Sequence, residues 1–260
     1  MSSSLVTIER NDAFATVRLN RPEKHNAHSD EMLTELGLAF TQLERDRELR
    51  AVILTGVGER AFSAGTDITA LDGITEKAAA ETSRRGRTVC ASIESFTVPV
   101  IAAVNGIAAG GGCELALACH MRIAATDAEF SLPETKLGMI PAYGGTQRLA
   151  RIIGSGRALD MTLSGRTISA EEAFKIGLVN RVTEPGNLLR EAGALANEIS
   201  KLAPLAIRAC LEAVTKGLEL SLQEGLAIEA ELFSRLFATD DVREGTLAFF
   251  EKRAPAFKGS

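Results

Sequence analysis

The run from Val98 to Cys119 limits most strongly what this chain can become: 22 residues whose clearly polar members are Asn105 and Glu114. A segment this apolar either crosses a bilayer or lies inside a folded core. It contains Pro99 and four glycines (Gly106, Gly110, Gly111, Gly112), lacks a flanking aromatic belt, and carries a carboxylate in mid-span. A charge at that depth costs about 2.5–3.5 kcal/mol even on the lenient insertion scale. The run reads as buried core, and no membrane association is expected.

Burying it requires other layers. Val98–Val104 and Ala51–Thr55 are continuous apolar runs, the pattern of strands covered on both faces, whereas Phe14–Asn20 alternates like a half-buried strand. Residues 28–47 and 75–95 carry helical periodicity, so crossover units and a largely parallel sheet are predicted. The second half reads as helix. Ser169–Glu172 and Ser221–Glu224 look like capping boxes, Gly177 suits a helix C′ position, Pro204 opens a helix, and Asp241–Lys252 forms the last one. Leu222, Leu226, Ala230, Phe233 and Phe237 make an apolar stripe.

The rest of the composition excludes several functions. At 260 residues with 45% hydrophobic side chains, the chain is globular, of one to two domains, and large enough for a substantial core. A net charge of −5 argues against a polyanion partner, and no Trp with a single Tyr leaves no platform for stacked bases; no nucleic acid is expected. Cys90, Cys113, Cys119 and Cys210 form no CxxC, which reads as reduced thiols in a cytosol-like compartment. The first residues show no basic segment followed by an apolar run, so no signal peptide is expected and the location is taken as cytoplasmic.

Two motifs imitate chemistry. Gly56-Val-Gly58-Glu-Arg-Ala61 follows a strand in the spacing of a dinucleotide fingerprint, but what comes next, Phe62-Ser-Ala-Gly65-Thr66-Asp67, lacks a helical stripe. A tight turn is expected there. His25, His28 and His120 have no partners at metal-ligand spacing, and Cys113 lies about 10.5 Å of helical rise from His120, too far for a nucleophile and its base. No metal or cofactor is expected.

Four blocks remain: Phe62–Ile68, Asn105–Glu114, Phe130–Glu134 and Gly138–Leu149. Three consecutive glycines, Gly110 to Gly112, lose much entropy on ordering, so something must require bare backbone there. A glycine-led helix N-terminus leaves N–H groups free to meet negative charge. Close helix–sheet packing, with Glu114 and Glu134 merely favourable near helix N-termini, would explain the same residues.

Together, Ala109-Gly-Gly-Gly-Cys-Glu114-Leu, Leu132-Pro-Glu134 and Gly144-Gly-Thr-Gln-Arg-Leu149 resemble the enoyl-CoA hydratase/isomerase (crotonase) family. The likeness runs from Leu19-Asn-Arg-Pro22-Glu-Lys-His25-Asn26-Ala27 to the Phe250–Phe257 tail. It implies an α/β fold, a repeated ββα spiral over residues 1–195 and a helical trimerisation region over 196–260, giving a homotrimer or hexamer. By the same resemblance Glu114 and Glu134 fall on the catalytic glutamates, and the backbone N–H groups of Thr66 and Gly111 on the oxyanion hole. The acyl-CoA thioester would be met by Lys24, His25, Ala64, Thr66, Asp67, Ile68, Gly110, Gly111, Pro133, Pro141 and Ala142. Thr69 stands where a lysine is frequent in hydratases; Lys24, Lys258 or the Arg84, Arg85 and Arg87 cluster could meet the CoA phosphates instead. The implied reaction is reversible hydration of a 2-enoyl-CoA; double-bond isomerisation and a silent acyl-CoA-binding oligomer are the alternatives.

Overall fold

The computed structural model describes residues 4–260. Strands β1 (Val6–Asn11) and β2 (Phe14–Leu19) form an antiparallel hairpin, followed by helix α1 (Asp30–Leu43). Then come β3 (Ala51–Gly56), β4 (Ala61–Ser63) and α2 (Glu76–Glu94), and β5 (Val100–Val104), β6 (Ile107–Ala109) and α3 (Gly111–Ala118). A third turn is built from β7 (Met121–Ala125), β8 (Glu129–Ser131) and α4 (Gly145–Ile153). Next are α5 (Ser155–Ser164), β9 (Thr167–Ser169), α6 (Ala170–Lys175), β10 (Arg181–Thr183) and α7 (Leu188–Ser200). Helices α8 (Pro204–Gly217), α9 (Leu222–Leu236) and α10 (Asp240–Glu251) close the chain.

The strands divide between two sheets, ordered β1-β2-β3-β5-β7-β10 and β4-β6-β8-β9. Each pair β3–β4, β5–β6 and β7–β8 gives its first strand to the large sheet and its second to the small one, then passes to a helix. The result is the ββα spiral expected from the resemblance. Every residue of β3 and β5 is buried, as their unbroken apolar runs require. Helix α7 covers β2, β3, β5 and β7, whereas α3 sits between the small sheet, α2 and α4.

Local chemistry sets the boundaries. Helix α1 begins at residue 30 rather than 28 because Ser29 caps it, its hydroxyl accepting from Met32 N–H. Strand β5 starts at Val100, since Pro99 has no N–H and contributes only its carbonyl, to Val52 N–H. Ser221 and Glu224 make the full reciprocal capping box. At Ser169 only half of it forms: the hydroxyl accepts from Glu172 N–H, while the Glu172 carboxylate pairs with Arg166.

The dinucleotide-like stretch is a turn between β3 and β4, with no helix following. Its polar groups are already used. Asn105 accepts from Gly56 N–H and donates to Gly58 C=O, while buried Asn26 donates to Val57 and Ala61 C=O. No described helix is long and apolar enough to cross a membrane. In α8 and α9 no side chain is buried.

Candidate active site

Helix α3 is buried along its whole length and enters directly from β6 through Gly110. Its C-terminal end is held by buried Arg122, whose guanidinium donates to Ala116, Cys119 and Leu178 C=O. With a cation spent on the carbonyl end, the amide end is the electropositive pole. The three glycines there each face a different neighbour. A Cβ at Gly110 would lie 3.2 Å from Glu134 Oε1, one at Gly111 2.8 Å from the Tyr143 ring, and one at Gly112 2.2 Å from Ser63 C=O. Bare backbone is therefore required at Gly111 and Gly112 by contact and at Gly110 by its φ of +51°.

The 63–67 segment is pressed against this pole. Gly65 has φ +87°, and a Cβ on it would fall 2.6 Å from Ala109 C=O and 2.8 Å from Gly111 N. That approach seats the backbone at Gly65, next to Thr66, against the first residue of α3. The amides around Thr66 are committed: Ala64 N–H donates to His25 C=O, Gly65 N–H to Ser63 Oγ, and Asp67 N–H to His28 C=O. Among the described residues neither Thr66 N–H nor Gly111 N–H has a protein acceptor. Out of four consecutive amides, one remains available, beside a helix N-terminus. Free backbone donors of this kind suit negative charge on an oxygen.

Glu114 projects from the first turn of α3 and is 2% exposed. Its Oε1 accepts from Tyr143 N–H at 2.7 Å and Gly145 N–H at 2.6 Å, where the chain turns into α4. Burial raises its pKa; the backbone donors at Gly145, Tyr143 and Ala142, and the charge of Arg148, oppose that rise. Glu134 lies on a one-turn 3-10 helix after Pro133. Its Oε2 is buried without a partner, and its pKa is pushed up to about 7, first by burial and further by the Glu114 charge. The two acids thus share one electrostatic environment. Glu114, with its two short N–H bonds, is the better holder of negative charge; Glu134, with an orphan oxygen, is the better holder of the proton.

Of the substrate contacts expected from sequence, Gly110 and Pro133 adjoin Glu134, Pro141 and Ala142 lie beside Gly145 and Glu114, and Thr66 and Gly111 lie against the Tyr143 side chain. Lys24, His25, Ala64 and Ile68 are exposed at the rim, and the 25–28 backbone pairs with 64–67. The Asp67 carboxylate is engaged with Arg21 at 2.9 Å and with Thr69 Oγ1 at 2.7 Å. The N–H groups of Ala64 and Asp67 are occupied by His25 C=O and His28 C=O. Arg84 and Arg85 are drawn into ion pairs with Glu81 and Asp30, and Lys258 N–H is tied to Asp241 on α10. His120 is structural: its Nδ1 accepts from Val100 N–H and its Nε2 lies 3.1 Å from Glu94 C=O.

Sequence reasoning missed Tyr143. Its N–H holds Glu114, its C=O accepts from Arg148 at 2.9 Å, and its hydroxyl lies 2.8 Å from Thr66 Oγ1. The available signal was that the one tyrosine of the chain lies inside the Gly138–Leu149 block. His28 was also missed. Ser63 Oγ bonds both Asn26 C=O and His28 Nε2; since its single proton goes to the carbonyl, Nε2 carries the imidazole hydrogen. The opposite Nδ1 is buried without a partner, and burial lowers the His28 pKa to about 4, keeping the ring neutral. Two surface cavities, of about 270 and 450 Å³, lie elsewhere, at α8–α10 with the tail and beside β10.

Two largely buried, electrostatically linked glutamates and two amides without protein acceptors are thus carried on one ββα spiral. The family description "Enoyl-CoA hydratase/isomerase" matches residues 9–260, and the chain belongs to that family. It is 40% identical to a short-chain-enoyl-CoA hydratase of Clostridium acetobutylicum, covering 97% of each chain. It is likewise 40% identical to a crotonyl-CoA hydratase of Syntrophomonas wolfei, covering 99% of each. The crystal structure of an enoyl-CoA hydratase from Bacillus anthracis superposes with a TM-score of 0.96 at 41% identity, over 98% of this chain and 100% of that one.

Proposed function

We propose that the chain catalyses reversible hydration of a 2-enoyl-CoA thioester to the 3-hydroxyacyl-CoA, with Glu114 and Glu134 sharing the proton work. The observation that carries this reading is the asymmetry of the pair: one carboxylate fixed by two N–H groups, the other with an unpartnered oxygen and a pKa near 7. The thioester oxygen binds between Thr66 N–H and Gly111 N–H. Ionised Glu114 takes a proton from water, the hydroxide adds to Cβ, and the displaced electron pair moves through Cα to the thioester oxygen. Each amide contributes about 2.7–4 kcal/mol to holding that developing charge. Protonated Glu134 then delivers its proton to Cα, and transfer of a proton from Glu114 to Glu134 restores the pair. No covalent intermediate and no metal enters the scheme. The names of the relatives, short-chain-enoyl-CoA and crotonyl-CoA hydratase, favour a small acyl group. The rim at Lys24, His25, Ala64 and Ile68 would carry the CoA portion.

Assaying the purified protein with C4 to C16 2-enoyl-CoA thioesters tests the reaction and its range together. Formation of 3-hydroxyacyl-CoA supports it; conversion of 3-enoyl-CoA to the conjugated isomer without hydration would replace it by isomerisation, and binding without turnover by a silent acyl-CoA carrier. The same reading takes α8–α10 as an oligomerisation surface, because Leu222, Phe249 and Phe250 are each about 80% exposed. Light scattering should give three or six chains per particle; a monomer at micromolar concentration contradicts that part.

A further inference from the structure

We propose that Tyr143 forms the end wall of the acyl pocket on the α2 side and thereby restricts the site to short acyl chains. This rests on the functional reading above, which fixes how the substrate must lie: its oxygen between the amides of 66 and 111, its Cα and Cβ facing Glu134 and Glu114. Tyr143 borders three of those four groups. Its hydroxyl bonds Thr66 Oγ1, its ring packs on Gly111, and its N–H holds Glu114. A chain leaving Cβ past Glu114 toward α2 runs into the ring.

The ring has no room to retreat. It is 2% exposed and lies roughly parallel to His28, 6.4 Å between centroids and 19° between planes. On its far side α2 is notched: a Cβ at Gly86 would fall 2.1 Å from Tyr143 Cδ1, so only glycine admits the ring at this depth. Ser83 of the same helix donates to Ala142 C=O at 2.8 Å, and Arg148 holds Tyr143 C=O. The phenol is thus fixed at backbone, ring and hydroxyl. A wall held this way imposes a length limit rather than yielding to a longer chain.

The test is a binding ladder that needs no turnover: titration calorimetry with butanoyl-CoA and decanoyl-CoA on the wild type, Tyr143→Ala and Tyr143→Phe. The wild type is expected to bind butanoyl-CoA at least tenfold tighter than decanoyl-CoA. Tyr143→Ala should shrink that preference by tenfold or more, and Tyr143→Phe, which keeps the ring, should leave it within about threefold. If Tyr143→Ala melts below the working temperature, Tyr143→Val supplies the same readout. A thermal-melt cycle adds a check: Gly86→Ala should lower the melting temperature in the wild type and much less beside Tyr143→Ala. An unchanged ladder in the truncated variant, or equal wild-type affinity for both thioesters, overturns the assignment. Crotonyl-CoA hydration is measured in parallel, so loss of the hydratase reading shows as absent turnover with the ladder intact. Failure of the Tyr143 wall shows as turnover with the ladder unchanged.

Discussion

Replacing Glu114 by Gln and by Ala separates two tasks that one carboxyl performs. Structurally, Oε1 satisfies two buried donors, Tyr143 N–H and Gly145 N–H, at 2.7 and 2.6 Å. Glutamine keeps a carbonyl oxygen for both, and because burial already disfavours the charged acid, a neutral replacement of the same shape should change stability by no more than about 1 kcal/mol. Alanine leaves both donors unpaired, at about 1–3 kcal/mol each, hence a loss of roughly 2–6 kcal/mol before any water enters. At about 2–4 °C per kcal/mol for a chain of this size, Glu114→Ala should melt about 4–24 °C lower. Chemically the two variants are alike, since neither can take a proton from water. Both should lose about 10²–10⁴ in turnover, the usual worth of a positioned acid–base group. Thermal unfolding and the fall in enoyl-thioester absorbance measure the two effects. If Glu114→Gln melts with the alanine variant, or keeps more than a tenth of the wild-type rate, the reasoning is wrong.

The pair's shared proton sets a pH profile. With Glu134 raised to about 7, the last proton leaves the dyad as pH rises through that value, and kcat/KM for hydration should fall there. Adding a second proton, to Glu114, should give the acid limb; because one proton on the pair is the active form in both directions, dehydration should show the same two limbs, which initial rates from pH 4 to 9 can check. Gly65→Ala should lose about 10²–10³ in turnover as the 63–67 segment is pushed off Gly111, and lower the melting temperature through a strained φ of +87°. A variant with normal turnover would show that the 66 and 111 amides need not be adjacent.

Periodicity revealed the frame because it records what faces the core. The apolar runs at Ala51 and Val100 became fully buried strands, and Gly56–Ala61 was recognisable as a turn because no helical stripe follows it. The glycine block was legible because backbone imposes residue type there: an added Cβ would meet Tyr143 at Gly111 and Ser63 at Gly112, and Gly110 takes a φ of +51°. The positions that pattern could not reveal are single side chains whose partners are distant in sequence. Tyr143 meets Thr66 across 77 residues, Arg122 meets Leu178 across 56, and Asn26 meets Ala61 across 35. Backbone availability was equally hidden. Ala64 and Asp67 look as suitable as Thr66 in sequence, yet their N–H groups are consumed by His25 and His28, and only folding together the 25–28 and 64–67 segments decides it.

The most direct measurement of the central claim follows one hydrogen. Crotonyl-CoA is incubated with the protein in deuterium oxide, returned to ordinary water, and the product is weighed by mass spectrometry. If Glu134 delivers a solvent-derived proton to Cα, the 3-hydroxybutanoyl-CoA carries one retained deuterium, and Glu134→Gln forms almost none of it while still binding butanoyl-CoA. Product without deuterium at Cα, or undiminished product from Glu134→Gln, contradicts the account.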